Sequence, residues 1–161
     1  MKNLWKLLIT LNITFFSSSA FSSPVDCYIA GVEELTGAPY HMATGYIEEL
    51  CHGTSNAYAP IGCYKRGLQQ LLGKPYYMPS GHIEDLCEGT NDSMAPIACY
   101  KQGVQELIGS PYHVPTGYIR DLCSGASNTL NPIQCYKKGI QKLVGAPYHM
   151  ASGYILELCQ R

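Results

Sequence analysis

Pro96-Ile97-Ala98-Cys99-Tyr100-Lys101-Gln102-Gly103-Val104-Gln105-Glu106-Leu107-Ile108-Gly109-Ser110-Pro111 carries one apolar residue for each turn of an α-helix. Ile97, Tyr100, Val104, Leu107 and Ile108 are spaced i, i+3, i+7, i+10 and i+11, which is one helical face. Pro96 suits the first turn, where no N–H partner is needed. Gly109 with Pro111 reads as a stop. The chain continues Tyr112-His113-Val114-Pro115-Thr116-Gly117-Tyr118-Ile119-Arg120-Asp121-Leu122-Cys123. Thr116 is read as an N-cap, and Ile119, Leu122 and Cys123 share the face of a shorter second helix. The reading is helix, seven-residue turn, shorter helix, then a polar loop after Gly125. Two helices joined by so short a turn form an antiparallel hairpin.

The same pattern recurs on both sides. Cysteines fall at 27, 51, 63, 87, 99, 123, 135 and 159, with gaps alternating 24 and 12 and a period of 36. Cys27-Tyr28, Cys63-Tyr64, Cys99-Tyr100 and Cys135-Tyr136 open equivalent units, each with a proline three residues before. The expected organisation is one continuous repeat domain over 24–161, divided into 24–59, 60–95, 96–131 and 132–161, with no linker or tail. A period in this range marks a solenoid. The fold class is therefore all-α, a short α-solenoid of four αα-hairpins.

Residues 1–23 read differently. Lys2 and Lys6 precede a mostly apolar run from Leu7 to Phe16, followed by the small residues Ser17 to Ala20. That is the layout of a secretory signal peptide, and the run is short for a membrane span. Export, to the periplasm or beyond, puts the cysteines where pairing is the default. Charged residues make up only 14% of the chain and the net charge is −1, so no basic field points to nucleic acid.

Two disulfide connectivities stay open at this level. The hairpin brings the start of the first helix beside the end of the second, which pairs Cys27–Cys51, Cys63–Cys87, Cys99–Cys123 and Cys135–Cys159 and uses every thiol equivalently. The rival joins Cys51–Cys63, Cys87–Cys99 and Cys123–Cys135 across the polar loops and strands Cys27 and Cys159. Gly31, Gly67, Gly103 and Gly139 lie inside the first helices, where glycine costs about 1 kcal/mol relative to alanine. Their return in every unit predicts a close approach between helices.

The runs Leu86-Cys87-Glu88-Gly89-Thr90 and Pro96-Ile97-Ala98-Cys99-Tyr100 are similar to cysteine-bearing helix-hairpin repeats of exported bacterial proteins. That resemblance spans nearly all of the chain after the leader, rests on few letters and implies no activity. Sel1-like repeats resemble these units in length and hairpin form only.

Nothing in the chain has the arrangement of an enzyme. All eight cysteines have a structural use, so no thiolate is free to act as a nucleophile. No G-x-S-x-G, Walker-type loop or C-x-x-C occurs, and Ser80-Gly81 and Ser152-Gly153 read as helix caps. Glu48-Glu49 and Glu84-Asp85 are neighbours in sequence, which point in different directions on a helix and read as a solvated face. No cofactor is implied.

Two binding chemistries remain. His41-Met42, His113 and His149-Met150 stand at equivalent turns, and imidazole with thioether suits copper. A periplasmic soft-metal protein is the alternative reading on those residues. Tyr40, Tyr76, Tyr112 and Tyr148 line the turns, while Tyr46, Tyr118 and Tyr154 open second helices. A solenoid would set them in rows, and tyrosine combines contact area with a hydroxyl. The leading expectation is a non-enzymatic binding protein whose partner is a protein, a peptide or an envelope glycan, met on the concave or turn-lined face. Unit one carries Asp26, Glu33, Glu34, Glu48 and Glu49 and no Lys or Arg, whereas unit four carries Lys137, Lys138, Lys142 and Arg161 against Glu157. One acidic and one basic end also invite head-to-tail self-association.

Overall fold

The computed structural model describes residues 23–160. The segment 1–23 read as a signal peptide lies outside them except for Ser23. Among the described residues there are eight α-helices and no strand. The long helices are α1 (Pro24–Leu35), α3 (Ala59–Leu71), α5 (Ala95–Leu107) and α7 (Asn131–Leu143). The short ones are α2 (Thr44–Cys51), α4 (Ser80–Cys87), α6 (Thr116–Cys123) and α8 (Ser152–Cys159). Each long helix packs on the short helix that follows it, and the resulting hairpin touches only the adjacent hairpins. The array is a short solenoid.

The disulfides are Cys27–Cys51, Cys63–Cys87, Cys99–Cys123 and Cys135–Cys159, with Cα atoms 5.6 Å apart in each. The cross-loop connectivity is thereby excluded. No described cysteine is free, which fits an oxidising environment. No helix of the described residues is long and apolar enough to cross a membrane.

The recurring helical glycines do what their spacing predicts. A Cβ on Gly31, Gly67, Gly103 or Gly139 would lie 2.3–2.5 Å from Cγ2 of Ile47, Ile83, Ile119 or Ile155, on the partner helix of the same hairpin. Glycine is needed because the two backbones are closer than any side chain allows.

Several local expectations are corrected. Ile108 is not on the buried face: α5 ends at Leu107, and Ile108 is 41% exposed at the C-cap. The turn is accordingly eight residues long, 108–115. Thr116, Ser80 and Ser152 are first helical residues rather than caps, the N-cap positions being Pro115, Pro79 and Ala151 without side-chain bonds. The last three long helices also start without a capping side chain at the N-cap itself. An Asx side chain two residues upstream of that position substitutes for it. Asp92 Oδ1 accepts from the N–H groups of Met94 (2.7 Å) and Ala95 (3.1 Å), and Asn128 Oδ1 accepts from Leu130 N–H at 2.9 Å.

The loops between hairpins are tied across units. Gly89 N–H donates to Leu50 O and Gly125 N–H to Leu86 O, each at 3.0 Å. Both glycines have positive φ, 61° and 62°, a conformation that favours glycine. Thr54 and Thr90 are buried beneath these loops, with the Thr54 hydroxyl 2.9 Å from Thr90 O of the next unit.

Candidate functional site

In each turn the chain doubles back through a hydrogen bond from the N–H of Met42, Met78, Val114 or Met150 to the carbonyl of Leu35, Leu71, Leu107 or Leu143. The residue before it takes a left-handed conformation: φ is 50° at His41, 49° at Tyr77, 52° at His113 and 49° at His149. Histidine is among the side chains enriched there, so its recurrence has a backbone cause. The two members of each His-Met pair are separated by this geometry. His41 is exposed and Met42 is buried in the core; His149 is exposed and Met150 half-buried. Among the described residues no group of three or more His, Cys, Asp or Glu side chains is placed to hold a metal ion.

The turn tyrosines divide. Tyr40, Tyr76 and Tyr112 are half-buried between units, their rings tilted against Tyr64, Tyr100 and Tyr136 of the next hairpin at 6.5, 6.0 and 6.4 Å. Lys65, Lys101 and Lys137 stand over the same three rings at 5.4, 5.9 and 5.7 Å, a distance at which cation–π attraction acts. Lys65 and Lys137 also pair with Glu34 and Glu106. The Lys137 and Gln102 bonds hold the Glu106 carboxyl below its ordinary range. Tyr148, in the last described unit, is 65% exposed.

Tyr46, Tyr118 and Tyr154 lie on the outer face of the short helices, 55%, 55% and 64% exposed, with His82 exposed at the equivalent place. Beside this row runs a second at Glu49, Asp85, Asp121 and Glu157, a carboxylate in every unit. Grooves separate successive short helices. One, of about 460 Å³, runs between α6 and α8 and is lined by Tyr118, Asp121, Tyr136 and Glu157 with the His113 turn. Another, of about 320 Å³ between α2 and α4, is lined almost wholly by Glu48, Glu49, Glu84, Asp85 and Glu88 with His52. Arg120 interrupts the acid row, reaching Asp85 at 3.0 Å and Asp121 at 2.6 Å.

Glu84 departs from the solvated face expected of it. It is only 6% exposed. Burial first, and then the charges of Glu49, Asp85 and Glu88 with a hydrogen bond to Glu49, push its carboxyl up to about 7. The folded protein therefore holds a proton that the unfolded chain releases near 4.5. Stability falls as pH rises between those values and the loss is complete above about 7. Replacing Glu84 with Gln is expected to flatten that slope and to stabilise the protein at pH 8 by on the order of 1–3 kcal/mol. Urea denaturation at pH 5 and pH 8 checks this, and an unchanged difference between the two pH values contradicts it.

Sequence reading missed Glu84 and the interlocking of Tyr40 with Tyr64. Both depend on what the adjacent unit presents, which the pattern of a single unit does not contain. In comparisons with family models, curated proteins and solved structures the chain matched none, so its likeness to exported helix-hairpin repeats rests on the motif letters quoted above.

Proposed function

We propose that this is an exported, non-enzymatic binding protein whose ligand is a polypeptide segment carrying basic residues, laid across the outer face of the short helices. The observation that carries the reading is the pair of rows in register along α2, α4, α6 and α8: exposed rings at Tyr46, Tyr118 and Tyr154, and carboxylates at Glu49, Asp85, Asp121 and Glu157. Aromatic rings supply contact area at small entropic cost. Carboxylates spaced by the repeat select cations and repel acidic partners. The grooves between short helices would accept side chains of an extended chain crossing them. The leader at 1–23 and the four disulfides support export.

The test uses fluorescein-labelled peptides of alternating arginine and serine, with glutamate–serine peptides and a chito-oligosaccharide as comparison probes, read by anisotropy. The arginine peptide is expected to bind. The double variant Tyr118→Ala/Tyr154→Ala is expected to weaken it about tenfold, the effect of truncating contact residues worth about 1–2 kcal/mol. Both rings are exposed, so folding is not at stake. Equal binding of the two peptides, or binding of the oligosaccharide in preference, overturns the reading.

A further inference from the structure

The internal joints of the solenoid share a buried plug, and at two of the three it meets the same kind of socket. The plug is the isoleucine after the helix proline: Ile61, Ile97 and Ile133 are 1–2% exposed. The socket is the glycine of the preceding unit's long helix. A Cβ on Gly31 would meet Ile61 Cδ1 at 3.9 Å, and one on Gly103 would meet Ile133 Cδ1 at 3.8 Å. Around this seat, Leu50, Leu86 and Leu122 are covered to within 1%. Beside it, each turn tyrosine stacks on the Tyr that follows the next unit's first cysteine.

Both halves of that joint stand uncovered at the ends of the described chain. Val25, at the plug position of unit one, is 66% exposed, and Tyr28 is 37% exposed where Tyr64, Tyr100 and Tyr136 are 3–5%. At the other end Leu158 is 63% exposed where its three counterparts are sealed, and Tyr148 has no ring stacked on it among the described residues. An apolar cavity of about 390 Å³ opens there, lined by Gly139, Leu143, Ile155 and Leu158. It is the fourth socket.

We propose that a second copy of this chain docks there, Val25 of one protomer entering the Gly139 socket of the next and Tyr28 stacking on Tyr148, so that the solenoid continues from copy to copy. Charge argues for a copy rather than an unrelated apolar partner. The socket is rimmed by Lys138 and Lys142. The plug is flanked by Asp26, and Glu48 lines the same surface. The whole first unit carries five carboxylates and no Lys or Arg. One like-charge pair, Glu157 with Glu48, falls in the register of the contact already made between Glu49 and Glu84. The joint is heterologous, so copies add head to tail.

The experiment is sedimentation velocity of the exported, leader-cleaved protein at low salt, from micromolar to millimolar concentration. The variants are Val25→Glu and Leu158→Glu, both at exposed positions. Wild type is expected to form a ladder of species whose average size rises with concentration and falls with added salt. Each variant alone is expected to remain monomeric. A mixture of the two is expected to stop at a dimer, because one retains a socket and the other a plug. A wild type that stays monomeric overturns the proposal. So does association that survives either substitution, or a mixture that gives no dimer.

Discussion

Removing one internal staple, with Cys63 and Cys87 both replaced by alanine, is expected to lower stability by about 3–4 kcal/mol. The two cysteines close a loop whose ends are 24 residues apart, and the loss of that constraint on the unfolded chain is of this size. A second contribution has the same sign. Both sulfurs are fully buried, Cys63 and Cys87 being 0% exposed, so truncation also leaves a void among Ile83, Leu86 and their neighbours. Each hairpin has little core of its own, and its neighbours make up the rest. The damage is therefore expected to spread to units one and three, seen as reduced amide protection on both sides of the altered hairpin. The measurement is urea denaturation by far-UV circular dichroism, with hydrogen exchange for the spread. A change below about 1 kcal/mol contradicts the account of the staple as a main support of the unit.

Replacing Gly67 with alanine is expected to destabilise the protein by about 1–3 kcal/mol, against the usual trend. Alanine in a helix interior is ordinarily better than glycine by about 1 kcal/mol. Here the new methyl would lie 2.3 Å from Ile83 Cγ2, and forcing it in separates α3 from α4 or drives Ile83 out of its rotamer. Two comparisons isolate that cause. A methyl added at Gly117, near the start of α6, would meet nothing within 4 Å, so Gly117→Ala is expected to be neutral or stabilising. In a background where Ile83 is already alanine, the obstructing Cγ2 is gone, and Gly67→Ala is expected to recover the ordinary gain. If Gly67→Ala stabilises the otherwise unchanged chain, the close approach of the two helices is not what keeps glycine at this place.

Much of this architecture is legible in the sequence because each unit repeats its own local instructions. The period of 36, the proline before each cysteine and the glycine-proline stops specify helices and turns. The antiparallel hairpin then favours cysteine partners 24 apart, and the structure decides against the cross-loop pairing. Gly31, Gly67, Gly103 and Gly139 can be read as close approaches because nothing else explains a costly residue kept at one helical position. What the sequence hides is mostly contact between units. Tyr40 and Tyr46 look alike in sequence, six residues apart. Yet Tyr40 is locked against Tyr64 while Tyr46 faces outward. Glu84 looks like any surface carboxylate, and only the stacking of α4 beside α2 buries it next to Glu49. The caps escape a sequence reading for a more local reason. Thr116 has the side chain of an N-cap, but the extended residue before α6 is Pro115, and backbone conformation rather than side-chain type locates the cap. The histidines of the turns admit two readings, and their positive φ supplies a backbone reason for His41, His113 and His149 that no spacing could reveal.

Peptide mapping of the purified protein under non-reducing conditions, by mass spectrometry, tests the stapled stack most directly. The account predicts four bridges, each between cysteines 24 residues apart, and no free thiol. Bridges between cysteines 12 apart, such as Cys51–Cys63, or a population of free thiols would contradict it, and would return thiol and metal chemistry to the centre of the question.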